Sequence, residues 1–292
     1  VDIVPAKICT LDCIYCQLGR TSRKSTVRQD FVDIEAVLSE LRDKLESGVT
    51  ADYVTIGGSG EPTLNSRLAD LIAGIRSSTD IPVAVLTNGT LLHRPDVRAE
   101  CATADLVVPS LDAGDAALFE VVNRPAGDIT IEKLVSGLAE FRAEFRGAIW
   151  LEVFLIAGVN TSAEQIEKIK GFIQRIRPEK VHLNTAVRPP AEPGVRPVSR
   201  ERLETIARQI GNNCTVIGEA PTGSAERHGT RAAADVLSIL KRRPCSVEDV
   251  CTGLGMHRNE VIKHLTNLRQ AHVISEEQRG GITYFHLRSD AR

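Results

Sequence analysis

Three cysteines stand within eight residues near the start of the chain: Cys9, Cys13 and Cys16, spaced C-x3-C-x2-C, directly after the apolar run Val1-Asp2-Ile3-Val4-Pro5. Three thiolates on one short loop can hold three corners of a cubane iron–sulfur cluster, which needs a fourth cysteine to close it. No fourth lies within reach in the sequence, so one iron is left open to a reacting ligand. The competing uses of such a loop are a zinc knuckle and a set of buried thiols. Zinc sites usually show paired C-x2-C units and four ligands, which this spacing does not offer.

The second stretch with chemical potential is Gly57-Gly58-Ser59-Gly60-Glu61-Pro62, which follows the strand-like Tyr53-Val54-Thr55-Ile56. Glycines there let the backbone approach a ligand and aim its polar groups at it; a plain strand-to-helix turn is the bland alternative. Asn88 in Thr87-Asn88-Gly89, and Ser110 and Asp112 in Ser110-Leu111-Asp112, end two further strands. These residue types serve ligand binding and helix capping equally well. Glu152 alternates with Trp150 and Phe154, so the three share one strand face. A carboxylate on a buried strand needs a partner, and Asn184 ends a sixth strand in a comparable position.

The elements that must position these residues read as alternating strands and helices. Helical periods cover residues 33–45 with Asp33 as N-cap, then 66–77, 95–103, 131–145, 163–175 and 200–210. Strands are expected at 53–56, 82–86, 105–109, 149–156 and 180–184, six with the cysteine strand counted. Strand–helix alternation argues for parallel βα units, which bind ligands at the C-terminal ends of their strands. A run at 214–217 reads as part of a cover over the open side. Residues 1–220 thus form one domain, 221–230 a linker and 231–292 a second domain, with helices at 231–242, 247–254 and 258–270 and a hairpin around Gly280-Gly281. That tail resembles a winged helix, with Arg258, Asn259, Lys263, His264, Asn267 and Arg269 facing outward on its third helix.

Charge supports the division. The whole chain carries 36 Lys+Arg against 38 Asp+Glu, a net charge of −2, while residues 226–292 hold 11 basic against 8 acidic residues and five of the seven histidines. A mildly basic tail on an acidic body is compatible with a polyanionic partner. Nothing approaches 18 consecutive apolar residues, so no membrane span is expected. The odd cysteine count, with Cys101, Cys214, Cys245 and Cys251 scattered, suits a reducing cytoplasm better than a disulfide framework.

The cysteine spacing, with Tyr15 just before the last cysteine, resembles that of the radical S-adenosylmethionine (SAM) superfamily. The resemblance implies a partial (β/α)6 barrel in an α/β fold and a [4Fe–4S] cluster on Cys9, Cys13 and Cys16. It also implies SAM at the open iron, an electron donor such as flavodoxin or ferredoxin, and reductive cleavage of SAM to a 5′-deoxyadenosyl radical that abstracts hydrogen from a substrate. Gly57, Gly58, Gly60 and Glu61 resemble the family's Gly-Gly-Glu-Pro element, here interrupted by Ser59. Tyr15, Asn88, Ser110, Asp112 and Glu152 become further SAM-binding candidates, Tyr15 beside the adenine. With Asn123-Arg124-Pro125 and the segment Asn184–Pro193, residues 1–220 also resemble the wyosine-synthase-like, tRNA-modifying branch. Arg124 and Arg188 there are candidate phosphate or carboxylate ligands, with surface salt bridges as the alternative. That branch carries a second cluster on cysteines ahead of the SAM motif, whereas eight residues precede Cys9. Either those cysteines lie outside this sequence or the chemistry differs, and the second is the expectation. The best-supported substrate is a nucleoside in RNA. The rivals are a peptide-modifying enzyme whose winged helix grips its substrate and a cluster-bearing DNA-binding regulator.

Overall fold

The structure is a computed structural model that describes residues 1–188, 190–217, 232–256 and 258–288. The described residues fall into two compact units. The first comprises Val1–Tyr15, Arg20–Ala186 and Gly194–Ile217; the second comprises Cys16–Gly19, Val187–Pro193 and the described residues from Ala232 onward. The expected linker 221–230 and Arg231 lie outside the described residues.

In the first unit, two two-residue strands, β1 (Ile8–Cys9) and β2 (Arg23–Lys24), pair in parallel beside the cysteine loop. Then follow α1 (Ile34–Glu46), β3 (Val54–Ile56), α2 (Leu68–Ser78), β4 (Val83–Thr87), α3 (Pro95–Cys101), β5 (Leu106–Pro109), α4 (Ala116–Val122), α5 (Ile131–Glu144), β6 (Ala148–Leu155), α6 (Ala163–Ile176), β7 (Lys180–Thr185), α7 (Arg200–Ile210) and β8 (Cys214–Val216). Strands β3 to β8 form one six-stranded parallel sheet in sequential order. This is the α/β architecture of a partial barrel, in which right-handed crossovers put each helix on the outer face.

Two memberships correct the sequence reading. The cysteine strand is not one of the six; its pairing is confined to β1 and β2. The segment before it lies along β3 instead, where the Val1 nitrogen donates to Thr55 O (2.6 Å) and Gly57 N donates to Val1 O (3.0 Å). The sixth strand is β8, in the run expected to be cover; it pairs with β7 from Val181↔Cys214 to Leu183↔Val216. Helix α4 was not expected. It is a seven-residue helix whose N-cap Asp115 accepts from Leu118 N, too short to show a periodic stripe.

Alternation along the strands sorts the core from the site. Ile149, Leu151, Val153 and Leu155 of β6 are fully buried, as are Ile56, Val85, Val107, Val181 and Leu183 on the other strands. They meet the apolar stripes of α2, α5, α6 and α7, among them Leu71, Phe141, Ile169 and Ile206. The opposite face carries Thr55, Leu86, Val108, Glu152 and His182, and Leu86 remains 44 % exposed although it is mid-strand. That inward face is therefore open. At its N-terminal end Trp150 packs edge-on against Tyr53 and His182.

The second unit contains α8 (Ala232–Arg242), β9 (Cys245–Ser246), α9 (Val247–Leu254), α10 (Arg258–Gln270), β10 (Ile274–Arg279) and β11 (Ile282–Leu287). Its sheet runs β10-β11-β9, and Gly280 and Gly281, with φ of 55° and 80°, supply the left-handed turn of the hairpin. Val236, Leu240, Val250, Val261, Leu265 and Ile274 form its own core. Helix α9 starts in a capping box of Ser246 and Asp249. Asp249 also pairs with Arg188 at 2.6 Å, and the Tyr284 hydroxyl donates to Val187 O at 2.5 Å, which fastens 187–193 to this unit. Among the described residues no helix is long and apolar enough to cross a membrane.

Candidate active site

The cysteine loop is fixed by backbone bonds from both sides. Asp12 N and Ile14 N donate to Asn123 O and Val122 O at the end of α4, Ala126 N donates to Thr10 O, and Glu61 N donates to Ile8 O. Asp12 is buried inside the loop and accepts from Arg20 Nε (2.9 Å) and Thr21 N (2.8 Å), closing it as a ring. The Cys9 sulfur accepts from Leu11 N (3.4 Å) and Asn88 Nδ2 (3.4 Å), and the Cys13 sulfur from Asn123 Nδ2 (3.3 Å). Nitrogen donors aimed at sulfur stabilise thiolate character, the state that ligates iron. Cys16 opens the segment 16–19 that groups with the second unit. Among the described residues no three His, Cys, Asp or Glu side chains converge as a single metal ion requires.

The glycine loop is packed against the cysteine strand. A Cβ on Gly60 would lie 2.1 Å from Ile8 O, and one on Gly58, whose φ is +139°, 2.4 Å from the Asp2 carboxyl carbon. Asp2 itself accepts from Ser59 N (3.0 Å) and Ser59 Oγ (2.6 Å). Gly57 sits against Leu86, with 3.3 Å between a built Cβ and the leucine Cβ. The glycines here let two backbone segments approach each other, and Asp2 is a contributor that the sequence did not single out.

Glu61 is 2 % exposed, and its carboxylate accepts four hydrogen bonds from protein. Oε1 accepts from Thr63 N (3.1 Å), Thr63 Oγ1 (2.6 Å) and Thr87 Oγ1 (2.5 Å); Oε2 accepts from Asn88 N (2.7 Å). Burial pushes this carboxyl up while the four donors pull it down. A carboxylate offers about two lone-pair sites on each oxygen, so Oε1 is fully taken by protein and Oε2 keeps one site beside Asn88 N. Glu61 ties the β3 loop to the end of β4 and thereby positions Asn88. Asn88 in turn accepts from Thr90 N and Oγ1 and donates to Thr10 Oγ1 (2.7 Å) as well as to Cys9.

Asp112 plays the corresponding part on the other side. Its Oδ2 accepts from the Tyr15 hydroxyl (2.5 Å) and Asn123 Nδ2 (2.8 Å), and its Oδ1 from Phe154 N (2.9 Å). Burial raises its carboxyl against these donors. The Tyr15 ring stacks on Phe154 with centroids 3.9 Å apart, and burial followed by the Asp112 charge raises its phenol well above the ordinary value. Both residues are engaged with protein, whereas the sequence suggested ligand contacts. Asn160, which the sequence reading passed over, donates to Asp112 O and Phe154 O and accepts from Ile156 N, closing this corner.

Ser110 and Glu152 face each other across a parallel bridge. The Glu152 carboxyl is pushed up to about 7, first by burial and then by the Asp112 charge, with the Asn184 side chain pulling it down. This leaves Ser110, just past the end of β5, Glu152, in the second half of β6, and Asn184, near the end of β7, on the inward face. Of the two arginines singled out, Arg188 is paired with Asp249 in the second unit, and Arg124, at φ 48°, lies 4.0 Å from Asp12. Cys101 and Cys245 are fully buried thiols, and no disulfide joins any cysteine.

The sequence profile of the radical SAM superfamily matches residues 3–173. A protein named GTPase Obg from Brachyspira hyodysenteriae is 34% identical over 285 residues; the match takes in 97% of this chain but 42% of that protein. This sequence contains no Gly-Lys-Ser/Thr phosphate loop. The UPF0026 protein MJ1312 of Methanocaldococcus jannaschii is 30% identical over 91% of this chain and 81% of its own length. Among solved structures, a radical SAM methyltransferase from Sphaerobacter thermophilus superposes with a TM-score of 0.54 at 21% identity, over 74% of this chain and 64% of that one. SuiB of Streptococcus suis, bound to SAM, gives a TM-score of 0.54 at 17% identity, over 74% and 47%. These neighbours share the fold, and the profile match over more than half of the chain shows that this protein belongs to the radical SAM superfamily, whose members use a [4Fe–4S] cluster and SAM.

Proposed function

We propose that Cys9, Cys13 and Cys16 hold the cluster and that SAM lies along the C-terminal strand ends against Gly57, Gly58, Ser110 and Glu152. The observation that carries this is the pair of carboxamides, Asn88 after β4 and Asn123 at the C-terminus of α4, each donating to a motif sulfur. When bound, the cluster supplies the electron that cleaves SAM to a 5′-deoxyadenosyl radical. The chain's own part is positioning: Glu61 and Asp112 orient the two asparagines, Tyr15 and Phe154 wall the site against water, and Glu152 offers a protonatable group to SAM or substrate. Hydrogen abstraction from the substrate is the first step of the reaction. A flavodoxin or ferredoxin is the reductant.

Anaerobic reconstitution with iron and sulfide, then dithionite and SAM, tests this reading. Formation of 5′-deoxyadenosine that disappears in Cys13→Ala is the expected result. A cluster that forms without cleaving SAM shifts the reading to a DNA-binding regulator, and zinc in place of a cluster sinks it.

For the substrate, a nucleoside in RNA is the first reading. The second unit has the element order of a winged helix, and Lys263 and Asn267 are exposed on α10. A probable dual-specificity RNA methyltransferase RlmN from Chlorobaculum tepidum is 24% identical over 58% of this chain and 46% of its own length. A protein or peptide partner is the second reading, because α10 is less basic than its sequence: Arg258 pairs with Glu248 and Arg269 with Glu276. Exposed Glu276 and Glu277 on β10 also oppose a phosphate backbone. The side chain of Asn259 lies outside the described residues. Salt-dependent retention of bulk tRNA, lost in Lys263→Glu, supports the first reading; retention of no RNA at low salt moves the choice to the second.

A further inference from the structure

We propose that Asn123 is a positioning residue that sets the reduction potential of the cluster at Cys13, by donating one carboxamide N–H to the Cys13 sulfur while Asp112 anchors the other. This rests on the reading that Cys13 is a cluster ligand. Asn123 is the C-cap of α4 and is 2 % exposed. Its backbone is held twice, its N–H donating to Phe119 O (2.9 Å) and its carbonyl accepting from Asp12 N (2.9 Å). Its Nδ2 lies 3.3 Å from Cys13 Sγ and 2.8 Å from Asp112 Oδ2, so both amide hydrogens are engaged.

The orphan in this arrangement is the carboxamide oxygen. Asn123 Oδ1 is buried and has no hydrogen-bond partner among the described residues. A buried unpaired acceptor is costly, and an apolar isostere such as leucine would avoid the cost. What the position gains is the pair of N–H donors, one polarised by a buried carboxylate and one directed at sulfur. Donors to a cluster sulfur favour the more negative, reduced form and so raise its potential. Asn88 makes a similar approach to Cys9, but its carboxamide also holds Thr10 and Thr90, so its loss would disturb the loop itself. Besides the sulfur, the Asn123 carboxamide has one partner, Asp112, which keeps its Tyr15 and Phe154 donors without it.

The test is an EPR-monitored redox titration of reconstituted wild type, Asn123→Leu and Asn123→Ala without SAM, with resonance Raman of the Fe–S(Cys) stretches. We expect both variants to hold the cluster at a more negative potential, by about a tenfold change in the reduction equilibrium or ~59 mV, with Raman frequencies shifted upward as the N–H···S bond is lost. Urea unfolding of the apo variants reads separately the loss of the Asp112 donor, an effect on stability that by itself would leave the potential of a bound cluster unmoved. A wild-type potential in whichever variant holds the cluster overturns the proposal. Wild-type protein that takes up no cluster at all overturns the cysteine assignment beneath it.

Discussion

The Glu61 carboxylate accepts the backbone N–H of Asn88 at 2.7 Å, and the Asn88 carboxamide reaches from there to the Cys9 sulfur at 3.4 Å. The glycine loop, the end of β4 and the cysteine loop are thereby one hydrogen-bonded unit.

Glu61→Gln breaks that unit without changing its shape. One carboxylate oxygen becomes an NH2 that must face an existing donor. Urea unfolding of the apoprotein should show a loss of about 1–3 kcal/mol for the unsatisfied group. The iron content after reconstitution should fall in parallel, because Asn88 loses its anchor.

Two glycine substitutions should move in opposite directions. Gly60→Ala puts a Cβ 2.1 Å from the Ile8 carbonyl oxygen and must displace the cysteine strand, so cluster incorporation should be lost or strongly reduced. Gly171→Ala, exposed in α6 with nothing within 4 Å of the new Cβ, should instead stabilise the protein by about 0.5–1 kcal/mol through helix propensity. Thermal unfolding and the iron content after reconstitution read both.

Glu152 predicts a pH dependence. Its folded carboxyl is raised from 4.5 to about 7, so the folded state keeps a proton that the unfolded chain gives up. Stability therefore falls as pH rises through that window and levels off above it, by at most about 3 kcal/mol. Urea titrations of the apoprotein from pH 5 to 8 should show the decline, and Glu152→Gln should flatten it. An unchanged slope in the variant would assign the dependence elsewhere.

Arg28 is a buried guanidinium, its side chain 9 % exposed, that pairs with Glu100 at 2.5 Å and donates to Thr63 O and Asn65 O. Arg28→Met strands Glu100 and two carbonyls. The expected cost is about 3 kcal/mol, the low end for breaking a buried pair because Glu100 keeps some solvent contact. The readout is a drop in the urea midpoint.

Local patterning determined most of the elements from the sequence alone. The helix at 200–210 and those at 247–254 and 258–270 agree with the structure to the residue, and Asp33 caps as expected, because apolar periodicity and capping are written within a few residues. The cysteine spacing likewise identified the chemistry. Tertiary structure alone decided which strand completes the sheet, since the short runs around Cys9 and Cys214 carry similar local signals and only pairing with β7 selects the second. It also decided the roles of the conspicuous carboxylates. Glu61 is matched by Thr87 and Asn88, and Asp112 by Tyr15, Asn123 and Phe154, partners up to 97 residues away in the chain. Whether a carboxylate holds a ligand or holds the protein depends on how many of its lone pairs such distant donors fill, and that is settled only when the chain has folded around it.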